Sequence, residues 1–448
     1  MATPHRIQVQ PADTGILKFN QDEAAASKVS DLLQQDLEVP HSSFMQVTRG
    51  SVSHHLLSLY GTGATPGVLQ QAFTYNATYQ LPAKQPKSAV VEELHSGFAA
   101  NAPRYLGKGK HYADFLRFFQ DELEGKDWRD VLAQYLFRDD GDPTATDLFA
   151  RLYAGFLHPM IQLMFGVEWQ QPALIAEALA QTAVHENKLG DFFAQAEQRA
   201  QSHAEYGALL VDLMDEVRTG EQHRKLATSV RWEDPNRIYD GVMKRAPEEA
   251  IDFVSRLRVK PDDLAERTAE MVHTAAYVAA AASWHPPHIP KFDFFLIHHL
   301  TSAPIFLTLN AQPWIPTATK VRLLEWKMRL DIIQYIGRGV PPLSTDILRT
   351  YAPPQAQQQA SEPRDLLPRF HAIGDDDGHI IKVVRALLIA QEETRRYGDG
   401  DSKRWVRIRE EDWLRVHYLL LRGVEGQSAK WVRTAGFDEA WADVPKAE

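Results

Sequence analysis

The chain has 448 residues, of which 44% are hydrophobic and 24% charged, so it can bury a large core without a metal ion or disulfide to hold the fold. A formal net charge of −10 argues against a surface that coats nucleic acid, and no apolar run reaches the length of a membrane span. Cysteine is absent, which excludes disulfides, iron–sulfur clusters, thiolate-ligated haem and a cysteine nucleophile.

The N-terminal sequence MATPHRIQVQPADTG lacks the basic segment and apolar stretch of a signal peptide. Together with the absence of cysteine, this leads us to expect a cytoplasmic protein with no membrane partner and no nucleic-acid partner. A small, neutral or weakly acidic molecule is the expected partner. Nothing in the sequence predicts an oligomeric state.

Residues 1–45 are polar and interrupted by prolines, and we expect them to form a loosely attached lead-in. After them, apolar residues recur at the three-to-four spacing of helices packed on a core. The predicted helical segments include, in chain order, VSHHLLSLY, YADFLRFFQDELEG, DLFARLYAGFLHPMIQLMFGVEW, PDDLAERTAEMVHTAAYVAAAASW, FDFFLIHHLTSAPIFLTL, KVRLLEWKMRLDIIQYIGRG, GHIIKVVRALLIAQEETRRYG and EEDWLRVHYLLLRG.

Signals for β-strands are scarce, because apolar and polar residues rarely alternate and hairpin turns of the Asn-Gly type are few. The stretch from Tyr351 to Leu367 is rich in proline, glutamine and alanine, and it predicts a long loop. We therefore predict an all-α fold, with one large globular multi-helix domain over residues 46–448.

Familiar cofactor motifs are missing. The glycine cluster Gly61-Thr-Gly63-Ala-Thr-Pro-Gly67 has the wrong spacing for a dinucleotide fingerprint and follows a helical pattern, so it indicates a turn between helices. There is no phosphate-binding loop of the G-x-x-x-x-G-K-[ST] type, no G-x-S-x-G motif and no H-E-x-x-H motif. Pattern alone therefore supports neither flavin nor nicotinamide binding.

Histidines are the unusual feature, since eighteen are present and several interrupt apolar helical segments. Adjacent histidines diverge by about 100° on a helix, so at most one of each pair faces inward. On a helical wheel His55 lies beside the apolar face and His54 nearer the polar side. The candidate residues are His54, His55, His158, His298, His299, His379 and Lys382.

Two interpretations of these residues remain open. Each histidine can be a core residue hydrogen-bonded to a carbonyl, and His379, Lys382 and Arg385 can form the solvated stripe of an amphipathic helix. Alternatively, four segments each contribute one imidazole to a metal centre, which suits non-haem iron and O2 chemistry. An anionic ligand can then come from Lys382, because a buried lysine loses its proton more readily and the neutral amine takes up CO2 to form a carbamate.

In these segments the chain resembles the questin oxidase-like family. The similarity covers nearly all of the chain from about residue 45, in six stretches that occur in the family's order. They are His54–Pro66, Gly107–Phe119, Arg151–Glu186, Lys291–Phe306, Val321–Leu343 and Asp376–Leu388.

The resemblance implies oxidative cleavage of an anthraquinone-type aromatic polyketide ring in fungal secondary metabolism. It carries two mechanistic accounts, an NADPH-dependent Baeyer–Villiger-type oxygen insertion and a non-haem Fe(II) oxygenase that uses histidines with a carboxylated lysine. The missing nucleotide fingerprints favour the iron account. Carried over by motif, the implied ligands are His54 or His55 (the helical wheel favours His55), His158, His298, His379 and carbamylated Lys382, of which His158 and Lys382 are also the expected catalytic residues.

Other residues are expected around this centre. His185 and His273 are candidates to support the ligands. Aromatic side chains are candidates to stack on a planar substrate, although core packing explains most of them equally well. They are Tyr112, Phe115, Phe118, Phe119, Phe292, Phe294 and Phe295. A function of another class, a non-catalytic binder or scaffold in a biosynthetic complex, also stays open.

Overall fold

The computed structural model describes residues 1–38, 52–77, 85–138, 142–203, 206–353, 360–398 and 403–447. Over these ranges the chain forms α-helices joined by turns and short 3₁₀ segments, with a π-helix at Arg237–Val242. Within the same ranges no strand forms, and extended backbone pairs only in isolated bridges. The prediction of an all-α fold is confirmed.

The helices follow one another with short connections. The first eleven are α1 (Glu23–Glu38), α2 (Val52–Tyr60), α3 (Pro66–Ala77), α4 (Ser88–Ser96), α5 (Phe98–Asn101), α6 (Tyr112–Gly125), α7 (Trp128–Tyr135), α8 (Pro143–Arg151), α9 (His158–Glu168), α10 (Pro172–Val184) and α11 (Gly190–Ala200). The others are α12 (Leu210–Thr219), α13 (Arg224–Ala227), α14 (Met243–Arg245), α15 (Pro247–Ser255), α16 (Leu264–Ala281), α17 (Phe294–Ser302), α18 (Pro304–Asn310), α19 (Thr317–Gly337), α20 (Thr345–Thr350), α21 (Leu367–His371), α22 (His379–Arg395) and α23 (Trp413–Val424).

One compact unit is built mainly from the N-terminal half. In it α9 packs against α10 and α2, and α10 packs against α6. Every residue from His158 to Val167 is buried, as expected of a helix that is apolar on nearly all sides and lies in a core. The unit comprises Met1–Asp191, Leu307–Thr319 and His371–Arg385.

The N-terminal segment belongs to the core of this unit. Helix α1 packs against α2 and α3, and the side chains of Ile7, Val9 and Val29 are buried. The hydroxyl of Tyr60 donates to the carbonyl of Gln10 at 2.9 Å. The expectation of a loosely attached lead-in is therefore wrong for residues 1–38, because their scattered apolar side chains pack inward despite the polar composition. Residues 39–45 lie outside the described ranges.

A second compact unit has α16 at its centre. Its residues from Arg267 to Ala281 are all buried, and the helix packs against α17, α12, α20 and α23. The predicted long loop falls in this unit, and its residues 354–359 lie outside the described ranges. Its described end is helical, with a 3₁₀ turn at Pro363–Leu366. The unit comprises Phe192–Phe306, Lys320–Phe370 and Ala386–Glu448.

Length and apolar character together decide whether a helix can cross a bilayer. Over the described ranges, no helix of this protein has enough of both.

A buried carboxyl on α16 makes a testable contribution to stability. Glu270 is fully buried, and burial raises its pKa from 4.5 to about 7, although Arg267 and the Leu210 N–H favour the charged form. Between these two pKa values the folded protein binds more protons than the unfolded chain, so the free energy of unfolding falls as the pH rises. Above pH 7 the contribution of Glu270 makes the free energy of unfolding about 3 kcal/mol lower than it is below pH 4.5.

We expect Glu270→Gln to remove this pH dependence, because glutamine fills the same space without ionising. Urea denaturation at pH 5 and pH 8 should show a wild type that loses more stability than the variant across this interval. Equal losses in the two proteins would contradict a proton held by Glu270 in the folded state.

Candidate metal centre

Three of the predicted ligands come together. His158, His298 and His379 each offer one ring nitrogen, these nitrogens all lie within 4.8 Å of one another, and all three side chains are buried. Two nitrogens bound to one transition-metal ion at about 2.1 Å are at most about 4.2 Å apart. The three rings, here called the histidine cluster, thus need only small side-chain shifts to share an ion.

His158 is placed by an unusual turn. It is the first residue of α9, and the three residues before it all have positive φ: Gly155 at 55°, Phe156 at 55° and Leu157 at 66°. The left-handed conformation costs an L-residue about 1–2 kcal/mol, so two such residues in a row require support from the surroundings. Strain of this kind is concentrated at functional sites.

His185 gives part of that support. Its Nδ1 hydrogen-bonds to the carbonyl of Gln181 at 2.7 Å, and a Cβ added to Gly155 would overlap its imidazole ring. The ring therefore packs directly on the backbone of the turn that leads into α9. This is consistent with the expectation that His185 supports a ligand.

We expect Gly155→Ala to destabilise the protein by roughly 3 kcal/mol, because the variant adds an overlap with His185 to the cost of a positive φ. Gly426 is the matched control, since its φ is 67° and a Cβ there meets nothing within 4 Å. Gly426→Ala should cost only about 1 kcal/mol. Urea denaturation of both variants measures the difference, and equal losses would argue against tight packing behind His158.

Two neighbouring carboxyl groups hold the start of α22, where His379 lies. It begins α22, and its Nδ1–H donates to Oδ1 of Asp377 at 2.7 Å, so Nε2 is the ring nitrogen that could bind a metal ion. Metal-binding histidines almost always donate their other N–H in this way. Asp376 caps the helix, since it accepts the backbone N–H groups of Gly378, Ile380 and Ile381 at 2.9–3.1 Å.

These two carboxyl groups differ in pKa. Burial and the neighbouring charge of Asp377 raise the pKa of Asp376 from 3.8 to about 7, against the effect of its three hydrogen bonds. Burial also acts to raise the pKa of Asp377, but His379 and Lys382 outweigh it and hold that pKa well below its ordinary range. Asp377 is therefore the carboxylate that stays ionised beside the cluster.

His298 lies in α17, whose first turn is capped by Asp293 through the N–H groups of Phe295 and Leu296. The Nδ1–H of His298 donates to the carbonyl of Phe294 at 2.6 Å, which leaves Nε2 for another partner. His417 makes the same bond to the carbonyl four residues before it. This hydrogen bond alone therefore does not identify a metal ligand. His298 is distinguished by its place in the histidine cluster.

Lys382 follows His379 by one turn and is 3% exposed. Among the described residues its Nζ has no hydrogen-bond partner. Burial lowers its pKa from 10.5 to about 8, although Asp377 and Asp376 favour the charged form. The alternative of a solvated stripe is wrong, because His379 and Arg385 are also buried and Arg385 pairs with Glu168.

The two neighbouring histidines of α2 have different surroundings. His55 Nδ1 accepts a hydrogen bond from Asn76 at 2.8 Å, its Nε2 lies 3.6 Å from Asp376, and burial lowers its pKa to about 3. The ring of His54 stacks on Phe165 and lies 6.3 Å, centre to centre, from the ring of His158. These contacts place His54 beside the histidine cluster, although the helical wheel favours His55 as the metal ligand from α2.

His55 has another role in the structure. Gly378 has a φ of 92°, and a Cβ added there would lie 2.8 Å from the Cβ of His55. The His55 side chain therefore packs against the turn that carries Asp376 and Asp377 into α22.

Most of the remaining candidates are core residues. His273 uses both ring nitrogens, Nδ1 with Thr394 at 2.9 Å and Nε2 with the N–H groups of Arg407 and Ile408. Its role is structural, and burial lowers its pKa to about 3. Of the aromatic candidates, Phe294 meets the ring of His298 edge to face at 4.7 Å. Three other aromatic candidates lie on α6 and pack among themselves and with Phe98 and Tyr135. They are Phe115, Phe118 and Phe119.

Sequence reasoning missed the residues that hold the candidate ligands in place. Asp376, Asp377 and Asn76 were not candidates, and neither was the strained turn before His158. A signal existed for the two carboxylates, because an aspartate run followed by Gly378 and an apolar helix is typical of a helix start. No local pattern marks Asn76 or the positive φ of Phe156 and Leu157.

The chain is similar in sequence to several known proteins. A family model described as questin oxidase-like matches residues 51–387. The chain is 34% identical over 490 residues to "Oxidoreductase AflY" of Aspergillus parasiticus, a match that covers 100% of this chain and 95% of that protein. It is 33% identical over 450 residues to "Baeyer-Villiger oxidase ptaJ" of Pestalotiopsis fici, with 99% of each covered.

A third relative carries the family's own name. "Questin oxidase" of Aspergillus terreus is 32% identical over 458 residues, with 100% of this chain and 99% of that protein covered. All three names denote oxidoreductases, and the matches extend over essentially the whole of each chain. The protein belongs to the questin oxidase-like family.

Proposed function

We propose that this protein is an oxygenase that uses O2 to cleave the ring of an anthraquinone-type aromatic polyketide at a non-haem iron centre. The observation that carries the proposal is the histidine cluster, in which three ring nitrogens lie within 4.8 Å of one another in a buried setting. Three buried imidazoles brought this close together form the kind of donor set that a transition-metal ion prefers.

The residues present fit Fe(II). Neutral imidazole is a good ligand for iron, and His158, His298 and His379 would hold the ion, with His54 as a further candidate. Lys382 would complete the set as a carbamate formed with CO2, since its amine is buried and has no hydrogen-bond partner among the described residues. A carbamate supplies the negative charge and the oxygen donors that an iron site with only histidines lacks.

The protein's own residues would prepare the site for this chemistry. Asp377 fixes the ring of His379 through the Nδ1–H bond, and the carbonyl of Phe294 does the same for His298. The apolar helices around the cluster exclude water that would intercept reactive intermediates. When bound, Fe(II) supplies the electrons by which O2 becomes reactive toward an electron-rich ring.

A second function is favoured by the names of the relatives. Several are called Baeyer-Villiger oxidases, a reaction in which one oxygen atom is inserted beside a carbonyl. If this protein acts in that way with NADPH, the histidine cluster would have to serve a purpose other than O2 chemistry. The two proposals differ in their need for metal and for nucleotide.

One reaction separates them. Questin, the compound in the name of one relative, would be reduced chemically to its quinol and offered to protein loaded with Fe(II), under labelled O2 and without NADPH. We expect ring-opened product that contains label, and mass spectrometry counts whether one or both oxygen atoms enter. Product that needs NADPH and forms equally well in metal-free protein would support the Baeyer–Villiger alternative. Binding without O2 consumption would indicate a non-catalytic binder.

A further inference from the structure

Helix α19 carries a stripe of buried polar side chains. Lys327, Asp331, Gln334 and Arg338 follow one another at spacings of four, three and four residues, which places them on one face of the helix and of the turn that follows it. Their side chains are 0%, 4%, 3% and 4% exposed. Four polar groups buried in a row are costly unless each one finds a partner.

The first half of this stripe is satisfied within the protein. Lys327 Nζ donates to Oδ2 of Asp331 at 2.8 Å and also to its Oδ1. The same Oδ1 accepts the Nδ1–H of His299. The lysine and the aspartate neutralise each other, so this half of the stripe carries no excess charge.

The second half is not satisfied. Over the described residues, Arg338 has no ion pair, its Nε and Nη1 have no hydrogen-bond partner, and neither has Nε2 of Gln334. The guanidinium group instead lies 4.0 Å above the ring of Phe295. Other buried arginines differ, since Arg329 pairs with Glu325 and Arg385 with Glu168.

The acidic group that acts on Arg338 does not serve as its counter-ion. Asp293 acts on Arg338 only at longer range, because its two oxygens already accept four backbone N–H groups. Burial lowers the pKa of Arg338 to about 10, which still leaves it charged at neutral pH. Arg237 brings a second positive charge into the neighbourhood and lowers that pKa further.

We propose that Arg338 and Gln334 form a binding site for the carboxylate group of a small organic acid. Their three unpartnered N–H donor groups lie on one face of α19 and the turn after it, and Arg237 adds a second positive charge nearby. A carboxylate is favoured over inorganic phosphate because it is a flat monoanion, which matches one unpaired guanidinium, and because Phe295 gives the site an apolar wall. The site lies within the second unit and does not rest on the iron proposal.

The test uses benzoate as the probe and benzamide as its uncharged counterpart, titrated calorimetrically into the full-length protein. We expect benzoate to bind wild type at least about 10-fold more tightly than benzamide, and Arg338→Met to weaken benzoate binding at least about 10-fold. Gln334→Met should weaken it about 3-fold, because one neutral donor is lost. Arg338→Met should fold, since it replaces an unpaired buried charge with an apolar side chain.

The control is Arg224→Met, which changes the net charge equally at an exposed position and should leave benzoate binding unaltered. Equal binding of benzoate and benzamide, no binding of benzoate, or unchanged binding in both site variants would overturn the proposal. Tighter binding of inorganic phosphate than of benzoate, lost in Arg338→Met, would overturn the assignment to a carboxylate.

Discussion

Replacing His158 or His298 by alanine is expected to lower the iron content of the protein to below about one-tenth of the wild-type value and ring-cleaving activity by at least about 100-fold. Each ring supplies one of three nitrogens that lie within 4.8 Å of one another. Changes to groups that merely orient a metal ligand already cost 10–100-fold in affinity or activity as a rule of thumb, so the loss of a ligand itself should cost about as much or more. Metal analysis measures the iron content, and turnover of the quinol form of questin measures the ring-cleaving activity.

The matched control for this experiment is His417→Ala. His417 is as deeply buried as His298 and makes the same hydrogen bond to the carbonyl four residues earlier, but it does not belong to the histidine cluster. Its replacement should lower stability without lowering the iron content of the folded protein. Equal iron in all three variants would contradict the assignment of the cluster as a metal site.

Lys382 is expected to carry a carbamate. Protein equilibrated with ¹³C-bicarbonate should show a carbamate signal by carbon NMR, and Lys382→Met should lack it. Activity of this variant should fall at least about 100-fold, because the ion loses an anionic ligand. Lys382→Ala should recover part of the activity when acetate is added, since the short acid can occupy the space left by the side chain.

Lys291 provides the control for this prediction. Burial lowers its pKa to about 8, as for Lys382, but its ammonium group donates to the carbonyls of Gly423 and Ala429. A lysine whose N–H groups are used in this way should not react with CO2, so Lys291→Met should keep the carbamate signal. A signal that survives in Lys382→Met and disappears in Lys291→Met would reverse the assignment.

The helical fold could be predicted, and the candidate histidines could be recognised, because both leave local marks in the sequence. Apolar spacing indicates helices, and a histidine inside an apolar segment such as GFLHPMIQLMF is conspicuous even without a structure. The family resemblance then selected His158, His298 and His379 from eighteen histidines. The choice between His54 and His55 was harder, because a helical wheel shows which face is apolar and not which neighbour each ring meets.

The supporting residues could not be predicted in the same way, because their roles depend on contacts between distant parts of the chain. Asn76 matters only because α3 brings it to His55, 21 residues away. The N-terminal segment reads as polar, yet Ile7 and Val9 are buried. Arg338 looks like an ordinary charge at a helix end until its surroundings are known.

The central claim is that the histidine cluster binds iron, and metal analysis of the purified protein tests it most directly. Protein prepared without an affinity histidine tag, loaded with Fe(II) under anaerobic conditions and freed of excess metal should retain about one iron per chain. Retention of less than about one-tenth of an iron per chain, with full ring-cleaving activity in the presence of NADPH, would contradict it.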